Sequence, residues 1–296
     1  MIPLTPFSSH LTSAATSFLD EPVAQRIEAI RSERWIAYPR AKHALAILQQ
    51  LVAHPRTTRM PSLAIYGDSG MGKTMIMHRF RSENPPVFNA AAGIEQTPVL
   101  ALQMTGRPSE RRFFAQLLAA AGAPRSSRCD IVELEQAALR VLRTIGVKVL
   151  VIDEAHNILA GPQREQRIIL NTLRFLSNEL SLSLVCLGVG DAREAISGDV
   201  QLARRIDEMQ LHRWAANEEF ETLIASILRN LPLRNPTLLS ARALRQILQM
   251  TDGVSARVFR MLNDLAVDAI ETGVEEITNE AVERWRPVVE RQAAFA

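Results

Sequence analysis

Residues 67–74 read Gly-Asp-Ser-Gly-Met-Gly-Lys-Thr, and no other stretch of the chain restricts its fold as far. The string fits G-x-x-x-x-G-K-[ST] in full, behind the apolar run Leu63–Tyr66 and ahead of a segment that opens as a helix at Lys73. Strand, glycine turn and helix in that order are the context in which this motif has a mechanism. Gly67, Gly70 and Gly72 let the backbone around Asp68, Ser69 and Met71 turn its N–H groups inward on phosphate oxygens. The helix N-terminus adds its partial positive charge. Lys73 is expected to reach β- and γ-phosphates, and Thr74 to hold Mg²⁺ through its hydroxyl.

A second element fits the first. Val149-Leu-Val-Ile-Asp153-Glu154 is too apolar to alternate, as a strand covered on both sheet faces reads. It delivers carboxylates at its C-terminal edge, where open α/β sheets bind ligands. Asp153 suits Mg²⁺ through water, and Glu154 is set to polarise an attacking water, so hydrolysis is the expected chemistry. A further strand over 98–105 lies between the phosphate loop and Asp153. An inserted strand with a Glu after the Asp resembles the additional-strand, catalytic-glutamate class of P-loop ATPases, which implies ATP as the nucleotide. His156 completes Asp-Glu-Ala-His without a helicase motif set, and reads as a polar residue at a strand end more than as a catalyst.

The rest of the chain supplies what such a site needs. Its 296 residues allow one large domain or two smaller ones, and 47% hydrophobic residues provide for a core. Strands and helices alternate up to about residue 213, with another strand over 183–187, which predicts a parallel sheet flanked by helices. From residue 214 the pattern is helical only, so the expected division is an arm over 1–20, an α/β domain over 21–213 and a helical part over 214–296. Cys129 and Cys186 cannot form a disulfide framework or a four-thiolate zinc site, and read as small buried hydrophobes. A net charge of +2 permits a local nucleic-acid surface and excludes a chain-wide polycation. With no signal-like N-terminus and only strand-sized apolar runs, no membrane span is expected and the location reads as cytoplasmic.

An α/β core followed by a helical tail resembles the AAA+ family with its C-terminal lid. The resemblance implies roles for further residues. Trp35, Ile36 and Tyr38 would wall the adenine, with a plain core contact as the alternative reading. Arg205 matches the arginine finger that acts on a neighbouring subunit, with Arg204 the close alternative. Arg257 resembles the sensor-2 arginine, and Arg260 competes with it. Where the family carries an uncharged polar sensor after the fourth strand, this chain has Asp191, whose charge would repel a γ-phosphate.

Four strings are more specific: RWIAYPRAKHALAILQQL, RMPSLAIYGDSGMGKTMIMHRF, VLVIDEAHNIL and LGVGDAREAI with QLARRIDEMQL. They resemble TniB, the transposition ATPase family related to TnsC, over roughly residues 21 to 285. The resemblance implies an ATPase that assembles on double-stranded DNA as a ring or helical homo-oligomer. It also implies a DDE transposase of the TniA/TnsB kind and a TniQ-like target-selection protein as partners. A helicase loader or replication initiator on the same core, and a nucleotide-gated signalling switch without DNA, are the competing readings. For the DNA surface, the stretch after the second strand offers Arg107, Ser109, Arg111 and Arg112 at a helix start as a phosphate cradle. Lys42 and the run Arg125 to Arg128 are alternatives, and a solvated charged loop is the plain one.

Overall fold

The computed structural model describes residues 10–286, apart from 92, 105, 107–108, 124–128, 192–193, 195 and 197. The chain divides into two units, His43–His212 and a second made of the residues up to Lys42 with those from Arg213 onward. The N-terminal stretch assigned by sequence to the α/β domain therefore groups with the helical part.

Among the described residues the first unit has seven strands: β1 (Ser62–Gly67), β2 (Val87–Asn89), β3 (Ile94–Gln96), β4 (Val99–Gln103), β5 (Val149–Asp153), β6 (Ser183–Gly188) and β7 (Ile206–Leu211). Five of them form one sheet in the order β4-β5-β6-β1-β7, and each neighbouring pair is parallel. β1, β5 and β6 are buried at every position, which accounts for their unbroken apolar sequences. The strand that separates β1 from β5 in space is β6, whereas the one that precedes β5 in the chain, β4, lies on its outer side.

Two features depart from the sequence reading. Ile206–Leu211 is an edge strand that the sequence reading did not mark, and its exposed Asp207, Glu208 and Gln210 hide the apolar signal. β2 and β3 form a separate antiparallel hairpin in which Val87 and Phe88 are exposed, so no burial pattern marks it.

The flanking helices are set by local signals. Asp130 caps the helix Ile131–Thr144 and exchanges both capping-box hydrogen bonds with Glu133. That helix and Glu110–Ala120 cover the sheet through Phe113, Phe114, Leu117, Leu134, Ala138 and Leu142. Phe113 and Phe114 meet edge to face, with centroids 5.7 Å apart, and each buried ring contributes about 1.5–3 kcal/mol. Cys186 is enclosed in β6, where burial pushes its thiol up to about 12. Cys129 is only half-buried at the edge of the same core.

In the second unit the helices Val23–Arg31, Glu218–Leu228, Ala241–Thr251, Ser255–Glu271 and Asn279–Arg284 pack together. Arg26 is 1% exposed, and its guanidinium bonds both Glu275 oxygens, at 2.8 and 2.5 Å, and the Pro232 carbonyl at 2.6 Å. Within the stretch expected as an arm, Ser13–Thr16 forms a helical turn, and the Thr12 N–H donates to the Arg229 carbonyl at 2.8 Å. Trp214 donates its Nε1–H to Ser255 Oγ at 2.9 Å and its backbone N–H to the Gly253 carbonyl. Gly253 has φ +63°, and a Cβ there would stand 2.4 Å from the Trp214 carbonyl oxygen. Gly253→Ala is therefore expected to cost about 2–4 kcal/mol, read as a lower urea midpoint. An unchanged midpoint would mean the two segments part easily. No helix among the described residues is long and apolar enough to cross a membrane.

Candidate nucleotide-binding site

The phosphate loop leaves β1 at Gly67 and enters the helix Lys73–Glu83 through Gly72, whose φ of +94° lies outside the range of ordinary side chains. No side chain caps that helix, so its first N–H groups stay open to an anion. Asp68, Ser69 and Gly70 are exposed at the tip, while Met71 is 2% exposed and pins the loop to the core. Lys73 is buried and turned back over the loop, donating to the carbonyls of Gly67 at 2.8 Å and Asp68 at 2.9 Å. Burial lowers the pKa of its ammonium, against the opposing pull of Glu154, Asp153 and Asp68.

Asp153 ends β5 on the same edge of the sheet as Gly67, with β6 between, so the two strand ends stand about 10 Å apart. Asp153 is 7% exposed. Its Oδ1 accepts the Glu154 N–H at 2.9 Å, and its Oδ2 lies 3.5 Å from Thr74 Oγ1. Glu154 occupies the left-handed region, φ +53° and ψ +40°, a conformation that costs a side-chain-bearing residue about 1–2 kcal/mol. Its Oε2 is 3.3 Å from His156 Nδ1. That contact was not expected from the sequence, where His156 reads as a bystander. The left-handed turn at Glu154 that brings it about leaves no compositional trace.

Other residues singled out by sequence lie elsewhere. Arg205 precedes β7, its carbonyl accepts the Ser62 N–H at 3.2 Å, and its guanidinium bonds Asn178 Oδ1 at 2.6 Å. It thus stands at the N-terminal edge of the sheet, about 16 Å along β1 from the phosphate loop. Arg204 beside it is exposed. Asp191 is exposed past the end of β6.

Trp35, Ile36, Tyr38 and Arg257 belong to the helical unit. Within it Tyr38 is buried edge-on against Trp214 at 5.5 Å, and burial raises its pKa. Ile36 is buried and Trp35 half-buried. Arg257 pairs with Asp252 on its own unit, and Arg260 is exposed. In the stretch proposed for DNA, Ser109 precedes the helix Glu110–Ala120 without making a capping bond. Arg111 and Arg112 are exposed in its first turn. Arg107 lies outside the described residues, as do Arg125 and Arg128, whereas Lys42 is exposed.

A five-stranded parallel sheet with β6 between the loop strand and the Asp-Glu strand, carrying a complete phosphate loop, defines an AAA+ ATPase, which binds nucleotide and hydrolyses ATP. Solved structures share the fold. The ORC2 protein of Aeropyrum pernix in its ADP form has a TM-score of 0.60 at 16% identity, covering 87% of this chain and 71% of that one. Cdc6p from Pyrobaculum aerophilum gives 0.59 at 15%, covering 84% and 68%. Drosophila ORC bound to DNA gives 0.55 at 16%, covering 96% and 68%. Residues 26–216 match the family model described as bacterial TniB protein, and the chain belongs to the TniB family. A comparison with curated proteins returns no match.

Proposed function

We propose that this protein is an ATP-dependent regulator of DNA transposition that assembles on duplex DNA and couples target selection to a transposase. Membership of the TniB family supports the reading, together with the position of Arg205. An arginine at the edge of the sheet opposite its own phosphate loop is out of reach of a nucleotide bound there. Such a residue can stabilise transition-state charge only on an adjoining subunit, so hydrolysis is slow in the isolated chain and faster in a ring or filament. Two solved neighbours are described with DNA, Aeropyrum pernix ORC1 and Drosophila ORC, in keeping with a duplex partner here.

The site's residues suit this cycle. The loop N–H groups take the phosphates, and Lys73 exchanges the Gly67 and Asp68 carbonyls for phosphate oxygens. Thr74 Oγ1 and Asp153 Oδ2, 3.5 Å apart, form the hard-oxygen pair that Mg²⁺ prefers. Mg²⁺, when bound, neutralises charge on the β- and γ-phosphates. Glu154 accepts a proton from water as its oxygen bonds the γ-phosphorus and the bond to the ADP oxygen breaks. Arg107, Ser109, Arg111 and Arg112 serve the duplex in this proposal. The partners are a TniA/TnsB-like transposase and a TniQ-like adaptor.

Retention of long duplex DNA on a filter with ATP, and its loss with ADP, tests the assembly. Arg205→Ala should bind ATP normally and lose the DNA-stimulated share of hydrolysis. Absence of retention would sink the DNA reading, and retention that ignores the nucleotide would sink its ATP dependence. Normal stimulation in Arg205→Ala, with loss in Arg204→Ala, would move the finger by one residue.

A further inference from the structure

The segment after Glu154 is a 3₁₀ turn, Ala155–Ala160, held from several sides. Ala155 and Ile158 are fully buried beneath it. Asn157 donates its Nδ2–H to the Met104 carbonyl at 2.7 Å and its backbone N–H to the Glu154 carbonyl at 2.9 Å. The Met104 N–H in turn donates to the Asp153 carbonyl at 2.9 Å. The His156 ring is therefore mounted on a fixed support. Its Nδ1 is closed off from solvent and has no hydrogen-bond partner in line, and the group it faces is Glu154 Oε2, at 3.3 Å.

A buried ring nitrogen without a partner is costly, and it persists where another interaction holds it. Glu154 has three side-chain torsions and an oppositely charged neighbour in Lys73, whose ammonium it stabilises. Left to those two forces, the carboxylate would turn to the lysine and pair with the group needed by phosphate. A fixed donor on its other side counters that pull.

We propose that His156 is a positioning residue: from the 3₁₀ turn it holds the Glu154 carboxylate apart from Lys73 and aimed at the attacking water. The inference rests on Glu154 being the catalytic base. It does not make His156 a proton carrier.

The test is steady-state ATP hydrolysis by the full chain carrying His156→Ala, His156→Asn or His156→Gln, with ATP affinity measured separately. The alanine variant should lose roughly ten- to a hundred-fold in kcat with KM and ATP affinity unchanged, the scale on which misplaced catalytic groups act. The asparagine amide nitrogen falls where Nδ1 stands and should recover most of kcat, whereas the glutamine nitrogen falls where Nε2 stands and should not. Wild-type kcat in His156→Ala overturns the proposal. So does equal loss in the asparagine and glutamine variants, a comparison that holds even if the alanine variant fails to fold. Full hydrolysis by Glu154→Gln would instead remove the base itself, a separate failure.

Discussion

Glu154→Gln should bind ATP as tightly as the unaltered chain and hydrolyse it at least about a hundred-fold more slowly, since a positioned general base contributes about 10²–10⁴. Glutamine matches glutamate in length and accepts the same left-handed backbone at no greater cost, so the loop and β5 keep their geometry. Only the proton acceptor is gone. Assemblies that depend on bound ATP should then persist, because the step that discharges them has stopped. Lys73→Ala makes the converse change. It removes a donor whose charge-assisted hydrogen bonds are worth about 1.5–3 kcal/mol each, so ATP affinity should fall roughly ten- to a hundred-fold. Titration with a fluorescent ATP analogue, beside phosphate release, separates the two. Wild-type turnover in Glu154→Gln would mean that another group takes the proton, and tight ATP binding by Lys73→Ala would reassign the loop.

Glu275→Ala is expected to destabilise the helical unit by about 3–5 kcal/mol, because it strands the Arg26 guanidinium in a buried site. The same pair sets a pH dependence. The hydrogen bond from Arg26 holds the Glu275 carboxyl below its ordinary 4.5, so the folded state favours the ionised form. The stabilisation is complete above the unfolded value of about 4.5 and is lost as pH falls through the lower folded value. Urea midpoints measured from pH 7 to pH 3 should fall more steeply for the unaltered chain than for Glu275→Ala. Parallel slopes would show that the pair adds nothing to acid stability.

How far the sequence foretells this molecule depends on whether a feature is local. The phosphate loop and the fully buried strand before Asp153 are written within a few residues, and each is found where it was read. Arg26 is different. On a short amphipathic helix it looks like a solvated charge, and only a glutamate 249 positions later makes its burial tolerable. β7 escapes because an edge strand needs burial at few of its positions, and Asp207 and Glu208 take the rest. That β6 lies between β5 and β1 is a property of the chain's crossings, to which no single segment testifies. Ile36 and Tyr38 are buried as apolar residues should be, and Tyr38 meets Trp214, the plain core contact that sequence left open.

The left-handed backbone at Glu154 bears on how this chain would respond to laboratory selection. Glycine adopts that conformation without penalty, and asparagine at little cost. A library sorted only for survival at high temperature would therefore drift toward those residues at position 154, since each relieves a turn that glutamate holds under tension. Every such winner would be a tougher protein with an idle site. Heat resistance and turnover pull in opposite directions at this one residue, so a useful screen of the family has to score phosphate release in the same round as survival.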